Sequence, residues 1–393
     1  MRKSPGARLA AVPLLFAALA GAARADDADP GPLLARIKAV RAEGAGNAAA
    51  ARAWKDLVAI GPKALFPTLA AFDGADPVAA NWIRAAADAI ADRAFKDHQL
   101  SAKELEQFVL RRRHSGAGRR IAYEWLVRLD PSAPRRLLPG MLDEPGAELR
   151  RDAVAVVLAE ARGVLDKGDR DGAALAYRRA FDAARDDDQV EEAAKQLKAL
   201  GKEADLAKHY GCVRRWMLVT PFDNTNGVGF AAIYPPEKEV DLAAAYKGKG
   251  GAEARWLEHT TTDPHGLVDL NKALGKRKAV VAYAYAVVES PREQKIELRA
   301  GCMTAIKVYL NGKQVFGREE YHHGINIDQH VAHGTLKAGR NEILVKVCQN
   351  DQSDSWAQDW QFQLRLCDAI GGAVPFKTLP PKEERAEKGK VRP

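Results

Sequence analysis

Apolar residues recur three and four apart from Pro32 to about Gly211, and from Val213 onward they recur at every second position. A chain that changes its period once must build helices first and strands second, because only one spacing in each stretch places its apolar side chains on one face. In the first stretch Trp54, Leu57, Val58 and Ile60 close a helix at Gly61-Pro62. Glycine supplies the stop there, and proline pre-sets the first turn of the next helix. Asp76 stands as an N-cap with Pro77 as first helical residue, opening a helix through Trp82, Ile83 and Ile90.

The helical pattern repeats. Leu126 to Pro131, Leu137-Leu138-Pro139 and Glu144-Pro145 keep the order of Ile60-Gly61-Pro62, Leu69 and Asp76-Pro77, at an offset of about 70 residues. The spacing predicts two copies of a double-helix unit. One helix pair cannot bury its apolar face alone, whereas stacked pairs share a core and present a concave surface.

In the second stretch Val281, Tyr283, Tyr285 and Val287 share one face of a strand, and Ile306, Val308 and Leu310 run into Asn311-Gly312. Asn-Gly between alternating runs is a strong hairpin signal. Ile343, Val345 and Val347 share one face of a later strand, as do Phe362, Leu364 and Leu366. Many short strands with hairpin turns predict an antiparallel sandwich or jelly roll.

Residues 1–25 begin with Arg2, Lys3 and Arg8, continue apolar to Ala22 and end Ala23-Arg24-Ala25, the layout of a secretory signal peptide. Export to the periplasm or cell surface is therefore expected. No later run is apolar enough to cross a bilayer. The formal net charge is +8, but half of it sits in Arg2, Lys3, Arg8 and Arg24, and much of the rest lies beyond Lys377. The body is near neutral, so no nucleic-acid partner is expected. Cys212, Cys302, Cys348 and Cys367 permit disulfides in an exported chain, or remain free thiols. Cys348 and Cys367 lie opposite the apolar face of their strands, where neighbouring strands would bring them together.

Segments Trp216 to Asp223, Val308 to Lys313, Leu336 to Lys346 and Trp360 to Phe362 resemble the galactose-binding-like β-sandwich that accompanies many bacterial glycoside hydrolases. The helical stretch is similar to HEAT-like repeats, and its part from Gly168 to Phe181 looks like a tetratricopeptide-type pair. The whole arrangement resembles uncharacterised exported proteins of planctomycete-type bacteria. The expected organisation is a signal peptide at 1–25, an α-solenoid over 32–211, a β-sandwich over 213–374 and, from Pro380-Pro381 and the mixed charges that follow, a disordered tail at 377–393.

Sugar sites in such modules stack an aromatic on the ring and bond its hydroxyls with polar side chains. Trp256, Tyr321, His322, His323, Asp328 and Trp356 are the candidate ligand contacts. The stretch from Tyr321 to His333 holds four of the nine histidines, and His330 and His333 are candidate metal ligands. No nucleophile elbow, zinc-protease pair, phosphate loop or dinucleotide fingerprint occurs, so no catalytic residue is assigned. The expectation is a binding or scaffolding protein without a cofactor, whose sandwich holds a glycan or protein and whose helices engage a protein partner. A metal-dependent hydrolase using loop 321–333 and a purely structural envelope component are the alternatives.

Overall fold

The computed structural model describes residues 29–380. The expected signal peptide lies outside them. Helices fill the first half of the chain and antiparallel sheets the second. The chain divides after Pro134 into two compact units.

The first unit holds α1 (Gly31–Lys38), α2 (Asn47–Ile60), α3 (Leu65–Ala70), α4 (Pro77–Lys96), α5 (Ala102–Leu110) and α6 (Gly116–Leu129). Gly61, at φ 78°, ends α2, and Asp76 accepts from the Val78 amide at 2.9 Å to open α4. A Cβ at Gly118 would stand 2.4 Å from the Leu69 carbonyl, so only glycine lets α6 approach α3 this closely. The order of helix lengths recurs across the division. α2, α3 and α4 have 14, 6 and 20 residues, and α6, α7 (Ala133–Leu137) and α8 (Ala147–Asp166) have 14, 5 and 20.

In the second unit α8 packs on α9 (Arg170–Ala183), α9 on α10 (Asp187–Ala199), and α11 (Leu206–Tyr210) closes their core around Val157, Tyr177, Phe181 and Leu197. The strands of this unit are β1 (Arg215–Asp223), β2 (Ala245–Lys247), β3 (Glu253–Arg255), β4 (Leu257–Thr260), β5 (Val268–Asp269), β6 (Val280–Ser290), β7 (Gln294–Cys302), β8 (Ala305–Leu310), β9 (Lys313–Arg318), β10 (His330–Leu336), β11 (Gly339–Gln349), β12 (Gln361–Cys367) and β13 (Lys377–Leu379). One sheet has the order β4-β1-β6-β11-β8-β9, with β13 also on β6, and the other has β10-β7-β12-β5. A two-residue turn joins β8 to β9, with Asn311 at φ 51° and Gly312 at φ 78°, the hairpin that Asn-Gly predicts. The two sheets face each other across one core that includes Trp216, Val345, Trp360, Phe362 and Leu364. β13 occupies the expected start of the charged tail, and residues 381–393 lie outside the described part.

The outer face of the larger sheet is covered around β6. The small residues of β6, Ala282, Ala284 and Ala286, face the core between the sheets, whereas Val281, Tyr283, Tyr285 and Val287 point outward beneath residues 230–256. Under that cover the Lys346 ammonium, fully buried, bonds the carbonyls of Phe230 at 3.3 Å and Ala232 at 2.5 Å and the Glu237 carboxylate at 2.8 Å. Glu237 also accepts from the hydroxyls of Tyr283 and of Tyr309, the latter at 2.5 Å. Burial alone would raise the Glu237 carboxyl, but Lys346 and the two tyrosines hold it below its ordinary range.

On the other outer face Arg365 of β12 reaches α11. Its guanidinium bonds the Tyr210 carbonyl at 3.2 Å and the Gly371 carbonyl at 2.9 Å. The backbone beside it is paired as well, Val213 N–H with Leu364 and Leu366 N–H with Gly211. A Cβ at Gly211, φ 74°, would stand 2.5 Å from the Leu366 carbonyl.

The four cysteines are buried free thiols, and burial pushes Cys367 to about 11 and the other three to about 12. Cys348 and Cys367 do not meet, contrary to the strand-parity expectation. Their strands belong to different sheets, and each thiol lies on the outward side of its own sheet, so both layers separate them.

His209 of α11 lies in this same seam, 3.2 Å from the Ala184 carbonyl. Burial, with Arg185, Arg365 and Arg178 nearby, lowers its pKa from 6.5 to about 4. Unfolding releases a neutral imidazole that takes up a proton, so its stabilising share is full above pH 6.5 and declines toward about 4. Urea midpoints measured across that range should fall with acid in the wild type and fall less in His209→Gln; equal slopes would contradict this assignment.

Candidate functional site

The loops at one end of the two-sheet layer carry an exposed indole. Trp356 is 63% exposed, while its neighbour Ala357 is fully buried. The segment between β11 and β12 is held on both sides of the indole. Gln358 Nε2 bonds the carbonyls of Ser353 at 2.8 Å and Asp354 at 2.7 Å, Lys278 Nζ bonds the Ala357 carbonyl at 2.5 Å, and Asn271 bonds the Gln358 carbonyl at 2.8 Å. An aromatic presented by a fixed loop loses little freedom on binding.

His322, from the loop between β9 and β10, stands edge-on to Trp356 with ring centroids 5.8 Å apart. Its Nε2 is 2.6 Å from Asn350 Oδ1, which also accepts from the Gln352 amide at 3.2 Å. An amide oxygen can only accept, so His322 donates to Asn350 Oδ1 from Nε2. Beside it the Tyr321 hydroxyl accepts from Asn224 Nδ2 at 3.2 Å, and burial pushes its pKa up to about 12, so it stays protonated. Indole face, imidazole and side-chain amide adjoin with Asp351 and Ser353 exposed alongside.

Of the sequence candidates, Trp356, His322 and Tyr321 therefore come together. The others do not. Trp256 packs between Tyr246 and Tyr285 on the outer face of the larger sheet and donates to Tyr246 at 3.2 Å, so it belongs to the cover. Asp328 is the shared acceptor of two arginines on the outer face of the smaller sheet. Arg299 reaches it at 2.6 Å and Arg365 grips both oxygens, one at 2.5 Å.

The four loop histidines do not converge. His330 and His333 are three apart in a strand, which puts them on opposite faces, and this corrects their pairing as metal ligands. His330 turns inward and stacks on Phe316 at 4.9 Å, whereas the His333 side chain is 82% exposed. His323 lies 6.1 Å from His330, ring to ring. Gln329, whose Oε1 accepts from the Cys302 amide at 3.0 Å, points its Nε2 at His323 Nδ1, 2.6 Å away. The Gly324 carbonyl lies 3.1 Å from the same His323 Nδ1. Together these contacts close the sheet edge between β9 and β10.

Asn350 and Gln352 at the indole were missed in the sequence. They come after β11 as ordinary turn residues, and only the fold brings them to His322.

No protein-family model matches this chain, and no curated protein matches it either. Among solved structures, a GH31 alpha-xylosidase from Xanthomonas citri is similar over 29% of this chain and 15% of its own length, at 16% identity and a TM-score of 0.19. A likeness this slight carries no argument.

Proposed function

We propose that this chain is an exported, non-catalytic binding protein, in which a galactose-binding-like jelly roll takes a glycan on Trp356 and an α-solenoid of HEAT- and tetratricopeptide-like helix pairs engages a protein partner. The observation that carries the reading is the exposed indole on a pinned loop, with His322 and Asn350 beside it. A sugar ring offers an apolar face for the indole and hydroxyls for the polar neighbours. The recurring order of long, short and long helices supports a repeat array, and the layout of residues 1–25 supports export.

The test is a glycan array probed with the full mature chain and with Trp356→Ala. Retention of a glycan by the wild type should weaken by at least about tenfold in the variant, or roughly 1.4 kcal/mol. The melting temperature should hardly move, because an exposed side chain off the core contributes little to folding. Equal retention by both proteins, or none by the wild type, would refute the reading. Self-association in solution without glycan binding would favour the envelope-component alternative.

A further inference from the structure

A second cluster lies away from the indole and uses none of its residues. Asp187 and Glu191 stand one turn apart on the same face of α10, and His265 comes from the loop between β4 and β5. One ligand atom from each of the three lies within 4.8 Å of the other two. His265 Nε2 is 2.8 Å from Glu191 Oε1, and the Tyr210 hydroxyl donates to Asp187 Oδ1.

Asp187 and His265 are held from behind. Asp263 Oδ1 accepts from the amides of His265 at 2.8 Å and Leu267 at 3.1 Å, and Thr261 Oγ1 donates to the Leu267 carbonyl at 2.5 Å, so the loop is a closed turn. The His265 carbonyl accepts from the Cys212 thiol at 3.2 Å, and the Tyr210 ring lies 5.5 Å from the imidazole. Asp187 and Glu191 are set by the helix, whose i,i+4 geometry brings two like charges side by side. A cation relieves that repulsion.

The donor set also selects the kind of cation. Two carboxylates and one imidazole nitrogen match divalent ions that accept mixed nitrogen and oxygen ligands, whereas magnesium and calcium take oxygen alone. A phenol bonded to a ligating carboxylate is the outer support that such sites use. We infer that Asp187, Glu191 and His265 form a binding site for a divalent transition-metal ion of the zinc class, with Tyr210 as a positioning residue for Asp187. The bound ion ties α10 to the loop between β4 and β5, and solvent completes its coordination.

The experiment titrates zinc chloride into the metal-stripped full chain by calorimetry, with magnesium chloride as comparison, and tracks melting temperature in parallel. The expected result is one zinc per chain and a higher melting temperature, since an ion held only by the folded state stabilises it. Zinc affinity should fall at least about tenfold in Glu191→Gln and in His265→Ala, and the rise in melting temperature should go with it. A His323→Ala/His330→Ala variant should keep both. Glu191→Gln preserves the side-chain shape on a helix surface, so it carries the test should His265→Ala fail to fold. The inference is overturned by absence of zinc uptake, by uptake unchanged in Glu191→Gln, by loss of uptake in the His323/His330 variant, or by equal uptake of magnesium. Since Trp356 takes no part, failure here leaves the glycan reading standing, and the reverse also holds.

Discussion

Replacing Lys346 with Met lowers the unfolding free energy by about 3–5 kcal/mol, the cost of leaving one member of a buried ion pair without its partner. Lys346 is fully buried and Glu237 is 5% exposed, so no water replaces the lost ammonium. Two tyrosine hydroxyls remain for the carboxylate, which must then take a proton or stay charged without a counter-ion. The two carbonyls that Lys346 joined, Phe230 and Ala232, lose a donor at the same time. A double variant, Lys346→Met with Glu237→Gln, should recover part of the loss, because a neutral amide no longer needs a cation. Chemical denaturation of the two variants decides the matter. If the single variant loses less than about 1 kcal/mol, the pair is not holding residues 230–238 to the sheet as described.

Asp328→Ala is the second large effect, at about 3 kcal/mol or more, since it strands two guanidinium groups. Arg365 is 6% exposed and Arg299 16%, and both aim at the same carboxylate. Glu297 still accepts from Arg299 at 2.8 Å, so Arg365 bears most of the cost. Acid should mimic the substitution. Burial pushes the Asp328 carboxyl up, but Arg365 and then Arg299 more than offset this and hold it below its usual value of 3.8. A carboxyl so depressed contributes stability in full above its unfolded pKa, and loses it as pH falls through the lower folded value. Below about pH 4 the wild type should therefore approach Asp328→Ala in stability, and the gap between them should be widest near neutrality. A gap independent of pH would show that Asp328 acts through packing and not through charge.

These two clusters mark where the sequence stops being informative. Local chemistry was legible: Asp76-Pro77 opens α4, Gly61 ends α2, and Asn311-Gly312 turns β8 into β9, because each depends on neighbours in sequence. The alternation in β6 was legible too, but not what lay on each side, since Val281 and Tyr283 are buried by a segment full of Gly, Pro and Lys that reads as loop. Lys346 and Glu237 are 109 positions apart, and neither has a sequence neighbour that announces the pair. Trp256 and Trp356 are chemically identical in the sequence. Only the fold decides that one fills a cover and the other faces solvent. Asp187 and Glu191 do carry a signal in their spacing, but His265 sits 74 positions beyond Glu191, and nothing local joins them.

The grip of Arg365 on α11 also sets an order of events during synthesis. The Tyr210 carbonyl waits for a guanidinium 155 positions downstream. Helices α8 to α11 leave the ribosome long before β12 exists, and chain segments generally acquire structure in the order they emerge. Their seam with the sheets stays open through the translation of every intervening strand. Aggregation and proteolysis act on such a nascent chain in that interval, and a truncation anywhere before Arg365 leaves the seam unsealed for good.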